Sequence, residues 1–159
     1  MYYGNPSVTT DPSSSSVWDA NHLGVWHFDN GVTDATSNAR TLTDNSTANL
    51  AVGKIGQARD LDNSTNVLSS GAGRYLQLPN SILSSVGALT FEGWVYLDRY
   101  DTNWERIFDF GASTTRNFFF SPTTATGTPA ETRVRITTGG NGSEQGPVIN
   151  NSGSQTGPG

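Results

Sequence analysis

The sequence predicts an all-β chain, an antiparallel sandwich or barrel, and three observations carry that prediction. Ser, Thr, Asn and Gly fill more than two fifths of the 159 positions, whereas the apolar class supplies only 33%. Short runs of β-branched and aromatic residues recur between clusters of Gly, Pro, Asn and Thr, which is the spacing of sandwiches and barrels. Lys54 is the single lysine, and no stretch is dense in Ala, Leu, Glu and Lys, so a helical core has no material to form from. Seven Phe, five Tyr and four Trp supply enough large side chains to offset the entropy of ordering, which argues against disorder.

Taken in order, positions 1–16 read as an extended segment and a linker, with Thr10-Asp11-Pro12 leading into Ser13-Ser14-Ser15-Ser16. A single module then spans 17–149, within the length of one ordinary domain. Gly24-Val25-Trp26-His27-Phe28-Asp29 alternates and closes on the turn signal Asn30-Gly31, predicting the first core strand. Brief strands are expected at 40–43, 56–61 and 75–78, and one helical turn after Pro79, around 81–84. Leu89-Thr90-Phe91-Glu92-Gly93-Trp94-Val95-Tyr96-Leu97 is the longest β-rich run. Its large side chains fall on both faces, which predicts a central strand covered on each side, with Gly93 and Trp94 buried. Strands over 104–110, 117–121, 133–138 and 147–149 complete the series, and 150–159 reads as a disordered tail.

Charge narrows the partners. The net charge is -5 with a pI near 4.7, and the nine Lys and Arg residues are scattered, so a nucleic-acid surface is excluded. With no cysteine there is neither disulfide nor thiolate metal site, which does not oppose export from a prokaryotic cell. No apolar run approaches the roughly 20 residues that cross a bilayer, so membrane insertion is not expected. Met1-Tyr2-Tyr3 lacks the basic and apolar regions of a signal peptide, which places any export address outside this sequence.

Five stretches, in this order, resemble the concanavalin A-like, laminin G-like jelly-roll modules of prokaryotic surface proteins and glycoside-hydrolase-associated lectin domains. They are Gly24-Val25-Trp26-His27-Phe28 with Asp34-Ala35-Thr36-Ser37-Asn38; Gly53-Lys54-Ile55-Gly56-Gln57-Ala58; Tyr75-Leu76-Gln77-Leu78-Pro79; Leu89 to Val95; and Trp104-Glu105-Arg106-Ile107-Phe108-Asp109-Phe110-Gly111. The resemblance implies a jelly-roll antiparallel β-sandwich, an extracellular or cell-surface location, and a non-catalytic carbohydrate-binding or adhesion module. Family members continue with further strands that are absent here, so it also implies a sandwich incomplete at its C-terminal end. The open edge would lie near the uncharged run Asn117-Phe118-Phe119-Phe120-Ser121, and self-association or a protein partner would cover it. The alternative function is a structural unit of a surface protein or fibre that associates through its sheet edges without a small ligand.

Enzymatic chemistry is not expected. Retaining glycanases need two carboxylates about 5 to 5.5 Å apart. The nearest strand pairs here, Glu92 with Asp98 and Glu105 with Asp109, would stand roughly 13 to 20 Å apart by rise per residue. Sugar binding requires an aromatic platform and planar polar groups, and Trp104, Arg106, Arg133, Glu144 and Gln145 are the candidates, with Tyr100 beside them. Core packing of Trp104 and cross-strand pairing of Arg106 or Arg133 with Asp109 or Glu105 are the competing accounts. Asp29, Asp34 and Asn38 gather oxygen donors around one loop, as calcium would require, and ordinary turn hydrogen bonding is the competing account of them.

Overall fold

The computed structural model describes residues 7, 14–29, 31–45, 49–61, 74–97, 104–112, 115–124 and 131–150. Two single-turn 3₁₀ helices, Ser15–Val17 and Asn141–Ser143, are the only helical segments among them; the regular structure is otherwise antiparallel β. The strands are β1 (Thr43–Asp44), β2 (Asn49–Val52), β3 (Gln57–Asp60), β4 (Leu76–Gln77), β5 (Phe108–Ala112), β6 (Arg116–Ser121), β7 (Glu131–Thr137) and β8 (Val148–Asn150). No helix among the described residues is long and apolar enough to cross a membrane. Contacts divide the chain into two compact units, Met1–Trp94 and Val95–Gly159.

The first unit holds two small ladders, β1 with β4 and the hairpin of β2 with β3. At the hairpin tip Gly56 takes φ +61, and a Cβ there would collide with the Asp29 carboxylate, so a tight turn and a close approach both require glycine. Asp29 uses that proximity: its Oδ1 accepts a hydrogen bond from the Gln57 amide at 2.8 Å. The strand expected at 24–28 does not form. The Val25 amide donates to the Asp34 side chain at 3.0 Å instead of to a neighbouring strand, and Phe28 turns the backbone out of the extended region with φ 67. Trp26 is fixed by its indole N–H, which donates to the Arg40 carbonyl at 2.9 Å. Leu42 is the buried apolar side chain of this unit among the described residues.

The run 89–97 is also not a strand. Trp94 is 73% exposed, and a Cβ built on Gly93 would meet nothing within 4 Å, which overturns the expected burial of both. Apolar residues on both faces signal a strand only when layers cover both faces. β-propensity measures fit to such a surface rather than an intrinsic backbone preference. Among the described residues no strand pairs with this run, and the Lys54 ammonium lies 5.9 Å from the Trp94 ring centre. The turn expected after Pro79 is present, closed by the Ser84 amide on the Ser81 carbonyl at 3.0 Å.

The second unit is a four-stranded antiparallel sheet in the order β5-β6-β7-β8. The registers Phe108↔Phe120, Phe110↔Phe118, Phe120↔Val134 and Phe118↔Ile136 put these residues on one face, because directly opposed residues point the same way and successive ones alternate. On that face the rings of Phe108, Phe110, Phe118 and Phe120 pack with centroids 5.1 to 6.3 Å apart. The opposite face carries Asp109, Phe119 and Arg135 in one row, with Arg133 opposite Ser121 in the next. Strand β5 starts four residues later than expected because Trp104 has φ 64, although its amide still donates to the Thr123 carbonyl at 3.0 Å.

The run 117–121 is thus a paired inner strand, not an open edge. Phe119 is 1% exposed and its aromatic neighbours are half-buried. The ladder Arg133↔Val148 confirms strand pairing in the region of 147–149; of the tail expected over 150–159, Asn150 instead pairs with Glu131 in β8, and 151–159 lie outside the described residues. Replacing Phe119 by Ala removes the best-buried ring of this sheet, and urea unfolding is expected to show a loss of roughly 3 to 5 kcal/mol. Val52→Ala, at a side chain 95% exposed, is expected to move stability by no more than about 0.5 kcal/mol. Equal effects of the two would contradict this core.

Candidate functional site

The polar face of the four-stranded sheet gathers most of the sugar-binding candidates. Strand alternation places Glu131, Arg133 and Arg135 of β7 on this face. Glu131 Oε2 accepts from both Arg133 Nε at 2.7 Å and Nη2 at 2.6 Å. Glu144 Oε2 holds Arg133 Nη1 from the other side at 3.4 Å. The Arg133 side chain is 14% exposed, so these contacts are made in a partly desolvated setting where ion pairs orient side chains strongly.

Arg106 enters the same cluster from the segment before β5. Its guanidinium carbon lies 3.9 Å from the Phe119 ring centre and 5.2 Å from that of Trp104, and the Arg133 carbon lies 5.4 Å from Trp104. The Trp104 ring therefore contacts two guanidinia at cation–π distance. Asp109 Oδ2 accepts from Arg106 Nε at 3.4 Å, and the Trp104 carbonyl lies 3.5 Å from Nη1. Burial pushes the Asp109 carboxyl above its ordinary range, and Arg106 only partly offsets it. Burial also lowers Arg106, against the opposing pull of Asp109 and Glu144, which leaves a group that is still charged near neutrality.

Trp104 is half-buried and held in the left-handed region, an uncommon and costly conformation for a bulky residue. Both competing accounts of these residues hold in part: Arg106 does pair with Asp109, and Trp104 does sit against other side chains. Gln145 behaves differently. It exchanges two backbone hydrogen bonds with Ile136, each 2.8 Å, which puts its side chain on the aromatic face, away from Arg133. Glu144, one residue earlier, reaches the polar face. The loop before it is fixed by the Ser143 hydroxyl, which accepts from the Gly139 amide at 3.0 Å and donates to the Gly140 carbonyl at 2.9 Å.

Sequence reasoning did not single out Glu131 or Phe119 for this site. The Glu131-x-Arg133 spacing carried the signal, since two residues apart on a strand means one face. Phe119 looked like part of an uncharged aromatic run until the register separated it from its neighbours. Tyr100 lies outside the described residues.

In the acidic loop proposed for calcium, both oxygens of the Asp34 carboxylate accept hydrogen bonds from the chain itself. Asp34 Oδ1 accepts from the amides of Val25 and Thr36, and Oδ2 from the Thr36 hydroxyl and the Arg40 amide, all within 2.9 to 3.0 Å. Asn38 donates its side-chain N–H groups to the carbonyls of His22 and Leu23, and Asp29 accepts from Gln57 as above. Among the described residues no group of three or more His, Cys, Asp and Glu is arranged to hold a metal ion. His22, paired with Asp19 at 2.8 Å, is exposed.

Compared with protein-family models, curated proteins and solved structures, the chain finds no match. The likeness to jelly-roll modules rests on the residue stretches alone.

Asp34 and Asp109 should titrate in opposite senses. Burial pushes Asp34 up, but its hydrogen bonds from Val25, Thr36 and Arg40 together outweigh this and hold the carboxyl below its ordinary value. A depressed folded-state pKa gives stability that is present above about pH 4 and lost as pH falls through the folded value. The raised Asp109 carboxyl gives the reverse: its contribution is present below the unfolded value and lost as pH rises through the folded one. Carbon-detected NMR is expected to show Asp109 taking its proton at higher pH than Asp34. Asp34→Ala should cost roughly 1 to 3 kcal/mol at neutral pH, less in acid. The reverse order of titration would remove the account of both sites.

Proposed function

We propose that this chain is a non-catalytic carbohydrate-binding or adhesion module of an extracellular or cell-surface protein, a jelly-roll-type unit whose ligand site is the Trp104, Arg106, Arg133 and Glu144 cluster. The observation that carries the reading is the position of Trp104. A strained, half-buried indole stands beside two guanidinia, each fixed by carboxylates of the same face. Strain of this kind persists where surrounding contacts over-determine it, and it concentrates at ligand sites. Aromatic faces and pre-oriented planar polar groups are what a pyranose needs: one meets its C–H surface, the others its hydroxyls. Holding those groups in place before the ligand arrives lowers the entropy cost of binding.

A second reading, a structural unit that associates with another copy of itself, is favoured by the other face of the sheet. Four Phe rings and Ile136, 51% exposed, form an apolar surface there, next to a shallow depression of 540 Å³ lined by Phe110, Phe118, Ile136 and Thr138.

A glycan array followed by calorimetry separates the two. On the first reading Trp104→Ala weakens glycan binding at least about ten-fold, equivalent to the loss of one good aromatic contact, while the β circular-dichroism spectrum is kept. On the second, Ile136→Glu shifts a concentration-dependent dimer to monomer in analytical ultracentrifugation. A glycan affinity unchanged by Trp104→Ala would sink the first reading.

A further inference from the structure

We propose that the Trp104 site selects uncharged sugars and discriminates against uronic-acid and sulfated glycans, an inference that rests on the glycan-binding function proposed above. Each guanidinium that touches the indole is already answered by the chain. Arg106 has Asp109 at 3.4 Å, and Arg133 has Glu131 at 2.6 Å and Glu144 at 3.4 Å. Around Trp104, then, three carboxylates face two guanidinia. The third guanidinium of this face, Arg135, lies one row further along, opposite Phe119, and gives its Nη1 to the Gly146 carbonyl at 2.6 Å.

An incoming carboxylate or sulfate accepts hydrogen bonds but donates none. To reach the remaining N–H groups of Arg106 or Arg133 it would have to stand beside Asp109, Glu131 or Glu144, and so crowd one anion against others in a partly desolvated setting. A hydroxyl both donates and accepts. It can give its proton to a carboxylate oxygen and take one from the neighbouring guanidinium without adding charge to the site. Selectivity therefore comes from the repulsive element as much as the attractive one. The net charge of -5 acts in the same sense at longer range, slowing the approach of polyanionic chains at low salt.

The intact chain is screened on an array that carries neutral hexose and pentose glycans beside uronate and sulfated ones. The strongest neutral hit and its uronate counterpart of the same linkage and length are then titrated by calorimetry at low and high salt. The neutral glycan should bind at least about ten-fold more tightly, and the gap should persist at high salt because it arises at contact distance. Glu144→Gln should narrow it by raising uronate affinity, and Asp109→Asn supplies the same test should the first variant fail to fold. Equal or tighter binding of the uronate overturns the selectivity while leaving the glycan-binding function standing. Binding of neither class removes that function, and the selectivity with it.

Discussion

The Arg106 guanidinium rests 3.9 Å from the centre of the Phe119 ring, and the second unit depends on that contact more than on any other. Among the described residues Phe119 is the one large side chain on the polar face that lies buried. A flat cation paired with Asp109 supplies part of its cover. A guanidinium suits this role: it is planar, weakly hydrated over its faces and still able to donate hydrogen bonds at its rim. Its placement carries Trp104 and the start of β5 with it. The raised Asp109 carboxyl reflects the desolvation of that counter-ion, which its pairing with Arg106 only partly offsets.

The first unit solves the same shortage of apolar side chains differently. A single carboxylate, Asp34, gathers four donors from three residues, and Arg40 ties the same region to the Leu23 carbonyl at 2.7 Å. Thr36, whose amide and hydroxyl both point at Asp34, is buried although polar. In a chain so rich in Ser, Thr and Asn, order comes from saturating hydrogen bonds at a few anchor points rather than from volume packed into a core.

What could be read in advance follows from this. Composition and turn spacing settled the antiparallel β class, and β3, β4, β6 and β7 lie within or close to the runs that alternation picked out. Where apolar pattern and tertiary cover part company, the reading failed. Positions 24–28 alternate correctly, but Asp34 captures the Val25 amide, a competition between side chain and ladder that periodicity does not register. The 89–97 run has the strongest β propensity of the chain and no strand beside it among the described residues, while β2, exposed along its length, offered no pattern at all. At the site, Trp104, Arg106, Arg133 and Glu144 were named for their chemistry and do converge. Gln145 has the same planar polar chemistry but follows Glu144 directly, and one residue on a strand is enough to change faces.

That same alternation makes the two functional readings physically independent. Phe118 and Phe120 point to one side of β6 and Phe119 to the other, so three identical neighbours serve opposite surfaces. The aromatic side gains from any apolar cover, is insensitive to charge and strengthens with salt, as burial of hydrocarbon does. Contacts on the polar side are directional, with ion pairs of 2.6 to 3.4 Å between Arg106, Arg133 and their carboxylates, so a partner able to donate and accept at once can join them without adding charge. A sheet built this way can present a ligand site and an association surface together, because neither contains a residue that the other needs.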